Sequence, residues 1–172
     1  MSKGIIIFAQ NNEYVNYAEQ ACACAGYARK NLSLFDEICL ITNAETLESN
    51  ETLINEYFDR VIVSDSFQPD NIRLFKDTVD KLEYASFKNM GRSEVYDLSP
   101  YDETLVIDAD YFIMNDILDQ VWDSENDVMI NCKYRDVSGR HKENIEYLDN
   151  FSIPMYWATV FYFKKSDFAE NL

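Results

Sequence analysis

Thr104-Leu105-Val106-Ile107-Asp108-Ala109-Asp110 decides how the rest of the chain reads. A near-continuous apolar run, the kind buried on both faces of a parallel sheet, passes directly into two acids one residue apart. Outward from it the same alternation recurs. Runs rich in Ile and Val are separated by segments of helical period, the pattern of βαβ units feeding a mostly parallel sheet flanked by helices. Upstream strands read at Gly4 to Ala9, Ile38 to Thr42 and Arg60 to Val63, which makes Thr104 to Ile107 the fourth. A first helix fits Glu13 to Lys30, where Tyr14, Ala18, Ala21, Cys22, Ala25 and Ala28 recur at three and four and the small residues allow close approach to a sheet. A second fits Thr46 to Phe58, with Leu47, Leu53/Ile54 and Tyr57/Phe58 inward. The stretch from Ser64 to Tyr101 contains no strand-like run and reads as one or two helices, with Phe87, Met90 and Val95 inward and Ser99-Pro100 ending the last. Downstream, Val128 to Cys132 and Thr159 to Phe163 are the fifth and sixth strands, a polar excursion lies between them, and Ser166 caps a closing helix.

The 172 residues suffice for one domain with a sizeable core. A composition of 47% hydrophobic and 15% aromatic residues, with 4 Gly and 3 Pro, excludes collagen-like, low-complexity and disordered classes. Fifteen Lys and Arg against 31 Asp and Glu give a net charge of −16, which repels a polyphosphate, so no nucleic-acid partner is expected. The apolar run Ile5 to Ala9 is too short for a signal sequence, and no run of 18 apolar residues spans a bilayer, so no membrane partner is expected either. Cys22, Cys24, Cys39 and Cys132 sit in helical or strand-like apolar stretches and read as buried thiols of a reducing compartment.

Ligands of open α/β sheets bind beyond the carboxyl ends of the strands. Three such ends stand out: Gln10-Asn11-Asn12-Glu13-Tyr14, Asp108-Ala109-Asp110, and Met155-Tyr156-Trp157-Ala158-Thr159. Chance alone predicts one or two Asp-x-Asp matches among 17 Asp, so the motif's weight comes from its position. Two carboxylates where a buried strand meets solvent repel each other, and a divalent cation offsets that; oxygen donors suit Mg²⁺ and Mn²⁺. The plainer reading makes Asp108 a turn cap and Asp110 a solvated acid.

The order of elements, with Asp108-Ala109-Asp110 closing the fourth strand, resembles the GT-A nucleotide-diphosphosugar transferases, especially glycosyltransferase family 8 and its viral relatives. The resemblance implies a GT-A fold, Rossmann-like and here C-terminally truncated, that transfers a sugar from a UDP-sugar donor to an acceptor it leaves open. Asp108 and Asp110 would hold Mn²⁺, or Mg²⁺, and through it the diphosphate. Ala9-Gln10-Asn11-Asn12-Glu13-Tyr14 is similar to the family's first loop, which implies that Ala9 and Gln10 help bind the donor nucleotide, that Asn11 and Asn12 meet the base edge and that Tyr14 stacks on the base. Lys88-Asn89-Met90-Gly91-Arg92 is similar to the family's basic helix before the Asp-x-Asp strand. Arg92, with Lys88, would then meet the diphosphate and sugar, next to Ala109. Trp157, in the last stretch, would stack on a sugar face. Each has a plainer alternative: Tyr14 and Trp157 as core aromatics, Arg92 as a solvated charge. The expected compartment is the cytoplasm, a host's if the likeness to viral relatives extends that far.

The sequence departs from the family in two places. Asn11 and Asn12 stand where the loop usually has Asp, bringing donors as well as acceptors and leaving base identity open. The family's third metal ligand, commonly His near the C-terminus, has no counterpart: the single histidine, His141, precedes the sixth strand. Either the chain is the front of a longer enzyme or its metal site is minimal; a last helix cut at Leu172 suits the former. Two alternatives stay open, a nucleotidyltransferase, disfavoured by a Gly-free first loop, and a non-catalytic sugar- or protein-binding module.

Overall fold

The computed structural model describes residues 1–64, 71–77, 81–87, 90–131, 147–148, 153–154 and 157–171, with side chains over 1–64, 92–131 and 158–171. In order, the elements are β1 (Lys3–Phe8), α1 (Tyr17–Asn31), β2 (Glu37–Thr42), α2 (Ala44–Tyr57), β3 (Arg60–Val63), β4 (Asn71–Asp77), β5 (Lys81–Phe87), a 3-10 turn (Met90–Glu94), α3 (Val95–Leu98), β6 (Glu103–Asp108), a second 3-10 segment (Ile117–Asp123), β7 (Val128–Asn131), β8 (Tyr147–Leu148), β9 (Ile153–Pro154), β10 (Trp157–Lys164) and α4 (Asp167–Glu170). Six strands form one sheet in the order β3-β2-β1-β6-β10-β7. The first four are mutually parallel, and β10 runs antiparallel to both β6 and β7. The fold is therefore the mixed, mostly parallel α/β sheet expected from the alternation.

Burial on both faces explains why its central strands carry no polar alternation. Ile5, Ile7, Ile38, Leu40, Leu105 and Ile107 face one cluster with α1 and α2, and Ile6, Cys39, Ile41 and Val106 face another with Val95, Tyr101 and Phe163. Each fully buried Ile or Leu contributes about 1.5–3 kcal/mol relative to exposure. Ala18, Ala21, Ala25 and Ala28 of α1 are all 0% exposed, so small side chains do bring this helix close to the sheet.

Helix α1 begins later than the spacing suggested. Asn12 Oδ1 accepts from the amides of Tyr14 and Val15 at 2.9 and 2.8 Å, and Asn16 caps the helix through Glu19 N, so residues 13–16 turn instead of coiling. Helix α2 starts behind Asn43, whose side chain accepts from Thr46 N at 3.2 Å, and it is interrupted at Asn50 (φ −134°, ψ 17°).

The larger correction falls between Ser64 and Tyr101. Instead of helices only, β4 and β5 pair there as an antiparallel hairpin, Leu74 opposite Tyr84 and Ile72 opposite Ser86. Ile72 and Leu74 flank Arg73, and Leu82 and Tyr84 flank Glu83, a period of two that short strands outside the main sheet carry without a solid apolar run. Phe87 thus ends a strand. Val95 is buried and opens the four-residue α3, which Ser99 ends as expected.

Cys22, Cys24 and Cys39 are free and buried. Cys132, His141, Met155 and Tyr156 lie outside the described residues. Among those described, no helix is long and apolar enough to cross a membrane.

Candidate active site

Phe8 and Asp108 are paired positions at the ends of β1 and β6, so the two chain segments of interest leave the sheet side by side. Beyond Asp108 the backbone turns at once, with Tyr111 N donating to Asp108 O at 3.1 Å. Ala109 goes inward at 6% exposure and Asp110 outward into solvent. Cys24 Sγ, on α1, approaches the same Asp108 carbonyl at 3.7 Å. The segment that follows is tied to the far end of α1. Asn31 Nδ2 donates to Ile113 O at 2.8 Å, and the buried Asp119 carboxylate accepts from Ser33 N at 2.9 Å and from Leu34 N at 3.3 Å. The acids therefore sit on a turn anchored from both sides.

The Asp108 carboxyl is mostly buried, its side chain 18% exposed, and Arg92 Nη2 forms an ion pair with its Oδ1. Arg92 itself is 30% exposed and stands on the 3-10 turn before α3. Burial pushes the Asp108 pKa above the usual carboxylate value, Arg92 opposes this, and the neighbouring Asp110 charge adds to the rise. Burial, then the charges of Asp110 and Asp108, raise the Cys24 thiol to about 12, so it stays protonated and serves as packing.

The first loop is built by its amides. Asn11 N donates to Thr46 Oγ1 at 2.9 Å, and Asn11 Oδ1 accepts from Ala18 N at 3.0 Å. Asn12 Oδ1 serves two backbone amides, which uses both its lone pairs. Asn16 Nδ2 bonds Asn50 Oδ1 at 3.1 Å, and Asn50 Nδ2 bonds Thr46 O, so the break in α2 braces this loop. Tyr14 is left 84% exposed on the loop ahead of α1, which excludes the core-aromatic alternative. Ala9 is buried, and Gln10 is 8% exposed with its Oε1 buried and, among the described residues, without a hydrogen-bond partner.

The structure thus brings Asp108, Ala109, Asp110 and Arg92 together at the carboxyl end of the central strand β6, beside the loop carrying Gln10, Asn11, Asn12 and Tyr14. Lys88 lies outside the described residues; Trp157 opens β10 opposite Asn131, and its side chain lies outside them. Sequence reading missed Thr46, Asn16 and Asn50 as supports, because their partners are some 34 or 35 residues away. It also missed a cavity of about 150 Å³ between α1 (Gln20, Cys24, Tyr27) and the turn (Asp110, Tyr111, Phe112). The three, four and seven spacing of its α1 wall was the available signal.

Asp108 and Asp110 offer hard oxygen donors, which fit Mg²⁺ or Mn²⁺ when substrate phosphate completes the coordination. Among the described residues no cluster of three or more His, Cys, Asp or Glu is placed to hold a metal.

The architecture is that of GT-A glycosyltransferases. The galactosyltransferase LgtC, solved with donor and acceptor sugar analogues, superposes with a TM-score of 0.56 at 16% identity, over 94% of this chain and 57% of its own. Mouse xyloside xylosyltransferase 1 gives 0.56 at 11% identity over 95% and 67%, and the bifunctional glycosyltransferase WbbM 0.57 at 13% over 99% and 32%. The chain thus spans little more than half the length of LgtC and about a third of WbbM. No protein-family model and no curated protein sequence matches the chain.

Proposed function

We propose that the protein binds a nucleoside-diphosphate sugar, a UDP-sugar foremost, and belongs to a glycosyltransferase that passes the sugar to an acceptor hydroxyl in the cytoplasm. The observation that carries this is the meeting of Arg92 and Asp108, two residues before Asp110, at the carboxyl end of a central strand of a GT-A sheet, one strand from the loop that exposes Tyr14. The free, buried thiols suit a reducing compartment.

In this reading Asp108 and Asp110 would hold Mn²⁺ or Mg²⁺, and the ion would supply Lewis-acid neutralisation of charge on the diphosphate. Arg92 presents a guanidinium to the same oxygens, where negative charge grows as the bond from the anomeric carbon to the β-phosphate oxygen breaks, the acceptor oxygen bonds that carbon, and the acceptor hydroxyl's proton passes to the departing phosphate or to water. Tyr14 lies against the base. Asn12 orders the loop rather than reading the base edge with its oxygen, since both lone pairs are engaged. That leaves amide N–H groups and the Gln10 environment as sources of base preference.

Calorimetric titration of UDP, GDP and ATP with and without Mn²⁺ tests the reading. UDP binding that needs Mn²⁺ and vanishes in Asp110→Asn supports it. A preference for triphosphate would point to nucleotidyl transfer, and binding indifferent to metal would point to a non-catalytic module.

A further inference from the structure

Asp108 and Arg92 differ in how firmly they are held. The Asp108 backbone is gripped by strand pairing with Phe8, by the Tyr111 amide and by the Cys24 thiol, and little of its side chain reaches solvent. Arg92 hangs from a short 3-10 turn on a long, rotatable side chain that is nearly a third exposed. The guanidinium engages the same carboxylate that the proposed metal needs. A divalent cation placed there would stand beside a fixed positive charge in a partly buried site, where Coulomb repulsion is weakly screened. A diphosphate changes this balance, because it offers Arg92 a second, bidentate partner of higher charge.

We propose that Arg92 and the divalent cation compete for Asp108, and that the nucleotide diphosphate resolves the competition by drawing Arg92 onto its own oxygens. Metal and nucleotide then bind cooperatively for a reason beyond direct chelation: each makes room for the other. The coupling is reciprocal, since whatever the diphosphate adds to metal affinity the metal adds to diphosphate affinity. This inference rests on Asp108 acting as a metal ligand, and it assigns Arg92 a positioning role ahead of any role during transfer.

The test is Mn²⁺ binding to the full chain, followed by the paramagnetic resonance signal of free Mn²⁺, with and without saturating UDP, in wild type, Arg92→Gln and Arg92→Lys. The expected result is that Arg92→Gln tightens Mn²⁺ alone by about tenfold, within the usual span of coupling between two sites, and weakens the cooperativity with UDP by a similar factor. Arg92→Lys, which keeps the charge without the planar fork, should fall between wild type and Arg92→Gln.

Equal tightening with and without UDP would mean simple removal of a positive charge and would overturn the competition. So would unchanged Mn²⁺ affinity in Arg92→Gln while Asp110→Asn abolishes binding, an outcome that leaves the donor-binding reading standing. If folded wild type binds neither Mn²⁺ nor UDP, both readings fall together.

Discussion

Arg29 Nη2 and Ile38 N converge on one oxygen, Asp59 Oδ2, each at 2.7 Å. Asp59 N returns a hydrogen bond to Ile38 O, so a single residue at the start of β3 clamps β2 and the end of α1 together. The clamp lies at the amino ends of β2 and β3, opposite the carboxyl ends from which the first loop and the Asp108 turn emerge.

The clamp carries a pH signature. Partial burial pushes the Asp59 pKa up, but the Ile38 amide and the Arg29 guanidinium outweigh it and hold the carboxyl below its usual value. A lowered pKa stabilises the fold above the unfolded value, about 4, and that contribution is lost as the pH falls through the folded one. Asp59→Asn should therefore cost about 1 kcal/mol or less at pH 7, the Arg29 pair being well exposed to solvent, and nothing near pH 2. Urea unfolding of both proteins across pH 2–7 checks this; a gap that widens on acidification would contradict it.

Gly4 lies in β1 against the buried ring of Tyr101, and a Cβ at Gly4 would overlap that ring. Tyr101 has little freedom to retreat, since its hydroxyl donates to Glu37 Oε2 at 3.3 Å. Gly4→Ala should destabilise by about 1–3 kcal/mol, the range for overpacking, although alanine is intrinsically the better strand residue. Thermal unfolding measures it. Tyr101→Leu in the same chain should recover part of the loss through non-additivity.

The Tyr14 side chain is 84% exposed, so the fold owes little to it. Tyr14→Ala should leave the melting temperature where it is and weaken uridine nucleotide binding about tenfold, as loss of one base–aromatic stack does, while Tyr14→Phe retains binding. Equal affinities for wild type and the alanine variant would remove Tyr14 from the proposed donor site.

Asp110 is exposed, and its role is proposed from its neighbours alone. Asp110→Asn should unfold like wild type and lose the Mn²⁺-dependent part of UDP binding. Asp108→Asn should differ by also releasing Arg92, so that UDP retains a metal-independent affinity greater than in Asp110→Asn. The two titration curves, recorded with Mn²⁺ and with EDTA, separate these outcomes.

What the chain order alone determined is the sheet and the place of its acids. Apolar runs such as Ile5-Ile6-Ile7 and Leu105-Val106-Ile107 call for burial on both faces, which favours a mostly parallel sheet covered by helices. Asp108 and Asp110 then fall at a carboxyl end whatever the details. The β4–β5 hairpin was hidden because its strands alternate apolar and polar residues, Arg73 between Ile72 and Leu74 and Glu83 between Leu82 and Tyr84, without a solid apolar run, and their pairing is written in their register rather than in either strand. Only the tertiary structure decided that Arg92 meets Asp108, that Asn12 spends its oxygen on the loop, and that Tyr14 stands clear of α1. Local periodicity reports which way a side chain faces over a few residues. Which partner it finds there depends on segments that arrive from elsewhere in the chain, and that is settled by packing.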